Sequence, residues 1–124
     1  TRSDVVPEGY IAAAWSSTGE VGWRDTFLTN VLLVREDVEV LTSREFNITA
    51  TGSVPRSAAC ALLRGPPPVC SHFWACSLHL TGGRFEDETW AVHADLRVAQ
   101  LRLLLAQLNE TDKYLLTPSE SRNP

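Results

Sequence analysis

A chain of 124 residues, 44% hydrophobic and 21% charged, carries enough apolar side chain to bury a core, which excludes an intrinsically disordered segment. A net charge of −4, with ten dispersed arginines and only Lys113 beside them, leaves no basic patch, so nucleic acid is not an expected partner. The expected organisation is one extracellular or luminal domain over 1–124. It is β-rich (α+β): an antiparallel sheet or sandwich of short strands with a C-terminal amphipathic helix packed on it.

Residues 1–26 hold Pro7, Gly9, Gly19 and Gly22 among serines and threonines and read as an extended lead-in, with "YIAAAW" its best strand candidate. Strands and hairpins are expected over 27–94. "TFLTNVLLV" is β-branched and apolar, "RED" is a turn, and "VEVLT" alternates Val38 and Val40 with Glu39, as a half-buried strand does. "FNITATGSV" alternates more clearly, with Phe46, Ile48, Ala50 and Val54 on one face and Asn47, Thr49 and Thr51 on the other. "SAACALL" suits a strand, although alanine and leucine are also strong helix formers. The three prolines of "RGPPPV" cannot join a ladder, so 64–69 forms a loop. "TGGR" predicts a hairpin turn, with "CSHFWACSLHLT" entering it and "FEDETWAVHA" returning, over 70–94.

The apolar period then changes. Val98, Leu101, Leu104, Leu105 and Leu108 form one helical stripe, predicting a helix over 95–110 that Asp95 caps and "NETDK" ends, with 111–124 a tail. The run Val98–Leu108 is broken by Gln100, Arg102 and Gln107 and is too short and polar to cross a bilayer, so any membrane anchor lies outside these residues. The chain contains no methionine, even at position 1, which points to a processed or excised polypeptide such as an ectodomain freed of its signal peptide. "NIT" at Asn47 and "NET" at Asn109 match the N-glycosylation acceptor and favour the same secretory route.

All three cysteines fall between Cys60 and Cys76. In a hairpin centred on Gly65, Cys60 and Cys70 lie opposite each other and within disulfide reach. That pairing leaves Cys76 as an unpaired thiol, either a buried small hydrophobe or a link to another chain. A helical "SAACALL" would instead favour Cys60–Cys76. A tryptophan between two distant cysteines would suggest an immunoglobulin domain, but these cysteines are too close and no tryptophan separates Cys60 from Cys70.

Catalytic and metal signals are weak. His72, Cys76 and His79 share a face only on a helix, and the same hairpin turn would set His72 opposite His93, short of the ligand count zinc takes. No G-x-S-x-G, H-E-x-x-H, P-loop or G-x-G-x-x-G occurs, and Glu86, Asp87 and Glu88 read as a solvated acidic edge. No cofactor, metal or enzymatic activity is therefore expected. Trp74 and Trp90 fit a core, whereas Trp15 and Trp23, in the polar lead-in, are candidate interface anchors.

The leading expectation is a non-enzymatic recognition module from a secreted or membrane-anchored glycoprotein of cellular or viral origin. Its partner would be a protein: a receptor, a ligand or a complex subunit, with oligomers possible through Cys76. The alternatives are a small secreted or luminal metal-binding protein or enzyme using His72, Cys76, His79 or His93, and a structural subunit of a larger membrane complex.

Overall fold

The computed structural model describes residues 6–20, 27–52, 55–81 and 90–115. In chain order they form β1 (Tyr10–Glu20), β2 (Phe27–Arg35), β3 (Glu39–Asn47), β4 (Ser57–Arg64), β5 (His72–Leu78) and α1 (Trp90–Leu115). β1 and β2 make a two-stranded antiparallel sheet, and β3-β4-β5 a three-stranded one. The three-stranded sheet is the middle of three layers, because two separate cores use its opposite faces.

β4 explains the layering. Successive strand residues point to opposite faces. Ala59, Ala61 and Leu63 pack with Ala14 and Val34 of the two-stranded sheet. Ala58 and Cys60 pack with Phe46, Ile48 and Leu104 on the helix side. Every residue from Ser57 to Leu63 is buried, so "SAACALL" reads as a continuous apolar run, as strands covered on both faces do. Helix propensity is overruled here by burial between two layers. Its alanines are small enough for the outer layers to approach closely, and Ala58, Ala59 and Ala61 are fully buried.

Within the lead-in expected over 1–26, the strand candidate "YIAAAW" forms and continues to Glu20 as β1. β1 pairs with β2 from Tyr10↔Arg35 to Glu20↔Phe27, with bulges that shift the register. Its inward residues are small, Ala14 and buried Ser16, because they face the alanines of β4. Ser16 is satisfied between the sheets: Ser57 Oγ donates to its hydroxyl at 2.9 Å, and Asn30 Nδ2 donates to the same oxygen at 3.2 Å. The "RED" turn forms as expected, with Val38 N–H donating to the Arg35 carbonyl at 3.0 Å. Phe46, Ile48 and Ala50 are buried while Asn47, Thr49 and Thr51 are exposed, as the alternation predicts; Val54 lies outside the described residues.

The β4–β5 hairpin turns farther along than a Gly65-centred register implies. Arg64 faces His72, and the loop takes in all three prolines. Gly65 N–H donates to the Ser71 carbonyl at 3.3 Å, and Val69 N–H to the Pro66 carbonyl at 2.9 Å. A Cβ on Gly65 would meet Val69 Cγ1 at 2.9 Å, so any larger residue there would have to displace the Val69 side chain.

The C-terminal region also departs from expectation. Trp90–His93 opens α1 rather than closing a hairpin, and "TGGR" beyond Thr81 lies outside the described residues. Asp95 is an exposed residue inside the helix, not its cap, and "NETDK" continues the helix to Leu115. The predicted apolar stripe is split. Leu104 is buried and Leu108 packs beside it, whereas Val98, Leu101 and Leu105 are exposed. Polar ties set this rotation. Thr81 N–H donates to Gln100 Oε1 at 2.9 Å, Gln100 Nε2 donates to Thr81 Oγ1 at 2.9 Å, and Arg97 donates to the Thr81 carbonyl at 3.1 Å. Farther along, Gln107 Nε2 donates to the Asn47 carbonyl at 2.9 Å, and Trp74 Nε1–H to Asp112 Oδ1 at 2.6 Å. Gln100 is fully buried because strand-end backbone and hydroxyl groups that would otherwise lack partners face it.

Candidate functional site

The disulfide joins Cys60 to Cys76, which are directly opposite on β4 and β5 with Cα atoms 4.1 Å apart. This corrects the expected Cys60–Cys70 bond. Because the turn is centred beyond Gly65, Cys70 falls in the loop rather than on the partner strand. Cys76 is therefore not the unpaired thiol and cannot link another chain while it is bonded. The free thiol is Cys70, exposed in the proline loop with φ of 51°. The bridge lies on the helix-facing side of the sheet, among Ala58, Phe46 and Leu104.

The histidines do not gather. His72 Nε2 lies 3.0 Å from Arg64 Nη2, which fits a guanidinium donor and an imidazole acceptor. His79 is exposed just beyond β5, and His93 belongs to α1, so the His72–His93 pairing does not form. Among the described residues no three His, Cys, Asp or Glu side chains come together as a metal site. Glu86, Asp87 and Glu88 lie outside the described residues, as does Trp23.

Trp15 has the exposure of an interface residue, 43%, between buried Ala14 and Ser16. It stands opposite Val31 on the outer face of the two-stranded sheet. Trp74 is a core residue, packed edge-on against Phe46 with ring centroids 6.3 Å apart. Trp90 is the first residue of α1.

Both sequon asparagines are exposed. Asn47 ends β3, and its Oδ1 accepts the Thr49 N–H at 2.9 Å in a local turn. Its Nδ2 has no hydrogen-bond partner among the described residues. Asn109 stands on the helix surface, and the Thr111 hydroxyl of its sequon donates to the Gln107 carbonyl at 2.8 Å.

Beside Asn47 is a polar cavity of about 270 Å³ between β1, β3 and the start of β4. Glu45 Oε2 spans its rim to accept the Ser17 N–H at 2.7 Å. The Arg56 backbone is held by Ile48 and Thr49, yet its buried side-chain Nε has no partner among the described residues. Desolvation pushes the Arg56 pKa down from its ordinary value.

The surface missed by sequence reasoning is the outer row of α1. Val98 is 46% exposed, Leu101 41% and Leu105 63%. Their spacing places them on one side of the helix. Next to that row a groove of about 720 Å³ runs between α1 and the segment after β3, lined by Thr49, Ala50, Val98, Arg102, Leu103 and Ala106. The signal for it is the width of the stripe, since Val98, Leu101, Leu104, Leu105 and Leu108 span about 120° of the helix and the sheet covers only the part with Leu104 and Leu108.

No protein family, no curated protein and no solved structure matches this chain. A small disulfide-bonded domain is consistent with an oxidising, extracytosolic compartment. Among the described residues no helix is long and apolar enough to cross a membrane.

Proposed function

We propose that this chain is a non-enzymatic recognition module of a secreted or membrane-anchored glycoprotein, and that it engages a protein partner through the outer row of α1. The observation that carries this reading is the exposure of Val98, Leu101 and Leu105 on one helix already anchored on its inner side. Contiguous exposed apolar surface is the usual mark of a contact site. Asn109 follows Leu105 by one helical turn on the same side. A glycan there would bound the contact at its C-terminal end and direct the partner toward Val98 and the adjoining groove. Trp15 on the opposite outer layer supplies a second, smaller apolar anchor.

Multimerised protein applied to panels of intact cells tests this reading. Wild-type protein is expected to stain cells that carry a protease-sensitive receptor. Leu101→Asp/Leu105→Asp should lose at least about tenfold in binding, equivalent to about 1.4 kcal/mol, with an unchanged melting temperature. Staining that is indifferent to both substitutions refutes the assignment of the face.

A further inference from the structure

We infer that the sugar carried by Asn47 is a structural ligand of this chain: its first N-acetylhexosamine ring occupies the polar cavity between β1, β3 and the start of β4. The inference rests on the glycoprotein reading above and specifies what that modification does. Cross-strand partners and i±2 neighbours share a sheet face. Glu45, Asn47 and Ser57, the partner of Asn47, therefore all point toward β1. The attachment atom, Asn47 Nδ2, has no hydrogen-bond partner among the described residues, while Oδ1 is held by Thr49 N–H and fixes the amide's direction.

In the attachment, Asn47 Nδ2 displaces the pyrophosphate of a lipid-linked oligosaccharyl donor. The sugar C1–O bond breaks, C1–Nδ2 forms, Nδ2 gives up one proton, and the pyrophosphate leaves with the electron pair. The ring then meets matched groups. The cavity's 270 Å³ equals roughly nine water volumes of about 30 Å³ each, room for one pyranose. Arg56 lines the cavity, and its Nε–H, covered and without a partner among the described residues, donates to the acetamido carbonyl once the side chain turns to expose it. Glu45 Oε1 has no hydrogen bond among the described residues, where Oε2 takes the Ser17 N–H, and it accepts a sugar hydroxyl. Pro55 lines the same cavity and offers an apolar surface to the ring's C–H face. The sugar thereby bridges β1, β3 and the 55–57 segment, where Ser17 and Glu45 already join the two sheets.

The test uses protein secreted with oligomannose glycans from a glycosylating host, in an Asn109→Gln background so that Asn47 is the only sequon occupied. Mass spectrometry first establishes occupancy, and an endoglycosidase then trims the glycan to one ring. The comparison is Asn47→Asp, which keeps the Oδ acceptor for Thr49. The single-ring form is expected to melt roughly 3–6 °C higher, the effect of one or two added hydrogen bonds in a chain of this size. Arg56→Gln should erase that increment and leave the melting of Asn47→Asp in place, since the Arg56 ties to the fold are made by its backbone. Equal melting of the occupied and unoccupied forms overturns the docking but leaves the glycoprotein reading standing. An increment that survives Arg56→Gln overturns it too. Bare Asn47 and Asn109 in wild-type protein from that host overturn both.

Discussion

Removing the β4–β5 bridge is the sharpest probe of the hairpin register. Cys60 and Cys76 are separated by 16 positions, and the chain-entropy relation gives about 3 kcal/mol for closing such a loop. The fully buried Cys60 sulfur also packs against the helix side of the core, so its loss in Cys60→Ala/Cys76→Ala adds up to about 1 kcal/mol. For a chain of this length, roughly 3–5 °C per kcal/mol predicts a fall in melting temperature of about 10–20 °C. Size alone cannot identify the partner, because a Cys60–Cys70 loop would be worth about 2.7 kcal/mol on the same relation. The pattern of substitutions identifies it. Non-reducing urea denaturation, followed by tryptophan fluorescence, should show the full loss for Cys60→Ala/Cys76→Ala and no loss for Cys70→Ser. A maleimide should label native wild-type protein once, at Cys70, and leave native Cys70→Ser unlabelled. Full loss in Cys70→Ser, or labelling of Cys76, would refute the register and the three-layer packing built on it.

Two further outcomes test how α1 is seated. Adjacent leucines should behave oppositely: Leu104→Ala, at a 5% exposed position, costs about 2–5 kcal/mol, whereas Leu105→Ala, 63% exposed, changes stability by less than about 0.5 kcal/mol; chemical denaturation compares them directly. Gln100→Leu, although more apolar, should destabilise by about 1–3 kcal/mol because it strands the Thr81 N–H it now satisfies, and amide hydrogen exchange at Thr81 should accelerate.

Parts of this architecture are legible in the sequence where one physical signal acts alone. The alternation Phe46, Ile48, Ala50 is visible because that segment faces a core on one side and solvent on the other. The length of β1 is obscured because its inward positions had to be small to lie against alanines, and small or hydroxylated residues resemble a linker. The β4–β5 register fails for a different reason. A symmetric turn at Gly65 counts residues evenly on both sides, but prolines without N–H groups cannot pair, so the strands begin outside them and the disulfide moves from Cys70 to Cys76. For the candidate surfaces, the exposure of Asn47 and Trp15 follows from pattern and neighbours, while that of the helix row does not. Periodicity gives the relative angles of leucines around a helix but not which angle faces the sheet.

That angle is decided by the polar groups, and the decision bears on function. Turning α1 by about 100°, one residue's rotation, would set Leu105 toward the sheet in place of Leu104, while Leu101 and Leu108, seven positions apart and on one side of the helix, would both stay at its flank. The exchange gains little apolar burial, since each leucine is worth about 1.5–3 kcal/mol in either row. It also separates Gln100 from Thr81, Gln107 from the Asn47 carbonyl and Asp112 from Trp74 Nε1, each of which then needs another partner. The polar ties therefore select one phase, and either phase leaves leucines outside. The β3–β5 sheet covers the side of α1 that carries Leu104 and Leu108. Val98, Leu101 and Leu105 adjoin that side, so the apolar stripe is wider than the sheet covers, and this uncovered margin is the surface the proposed partner would meet.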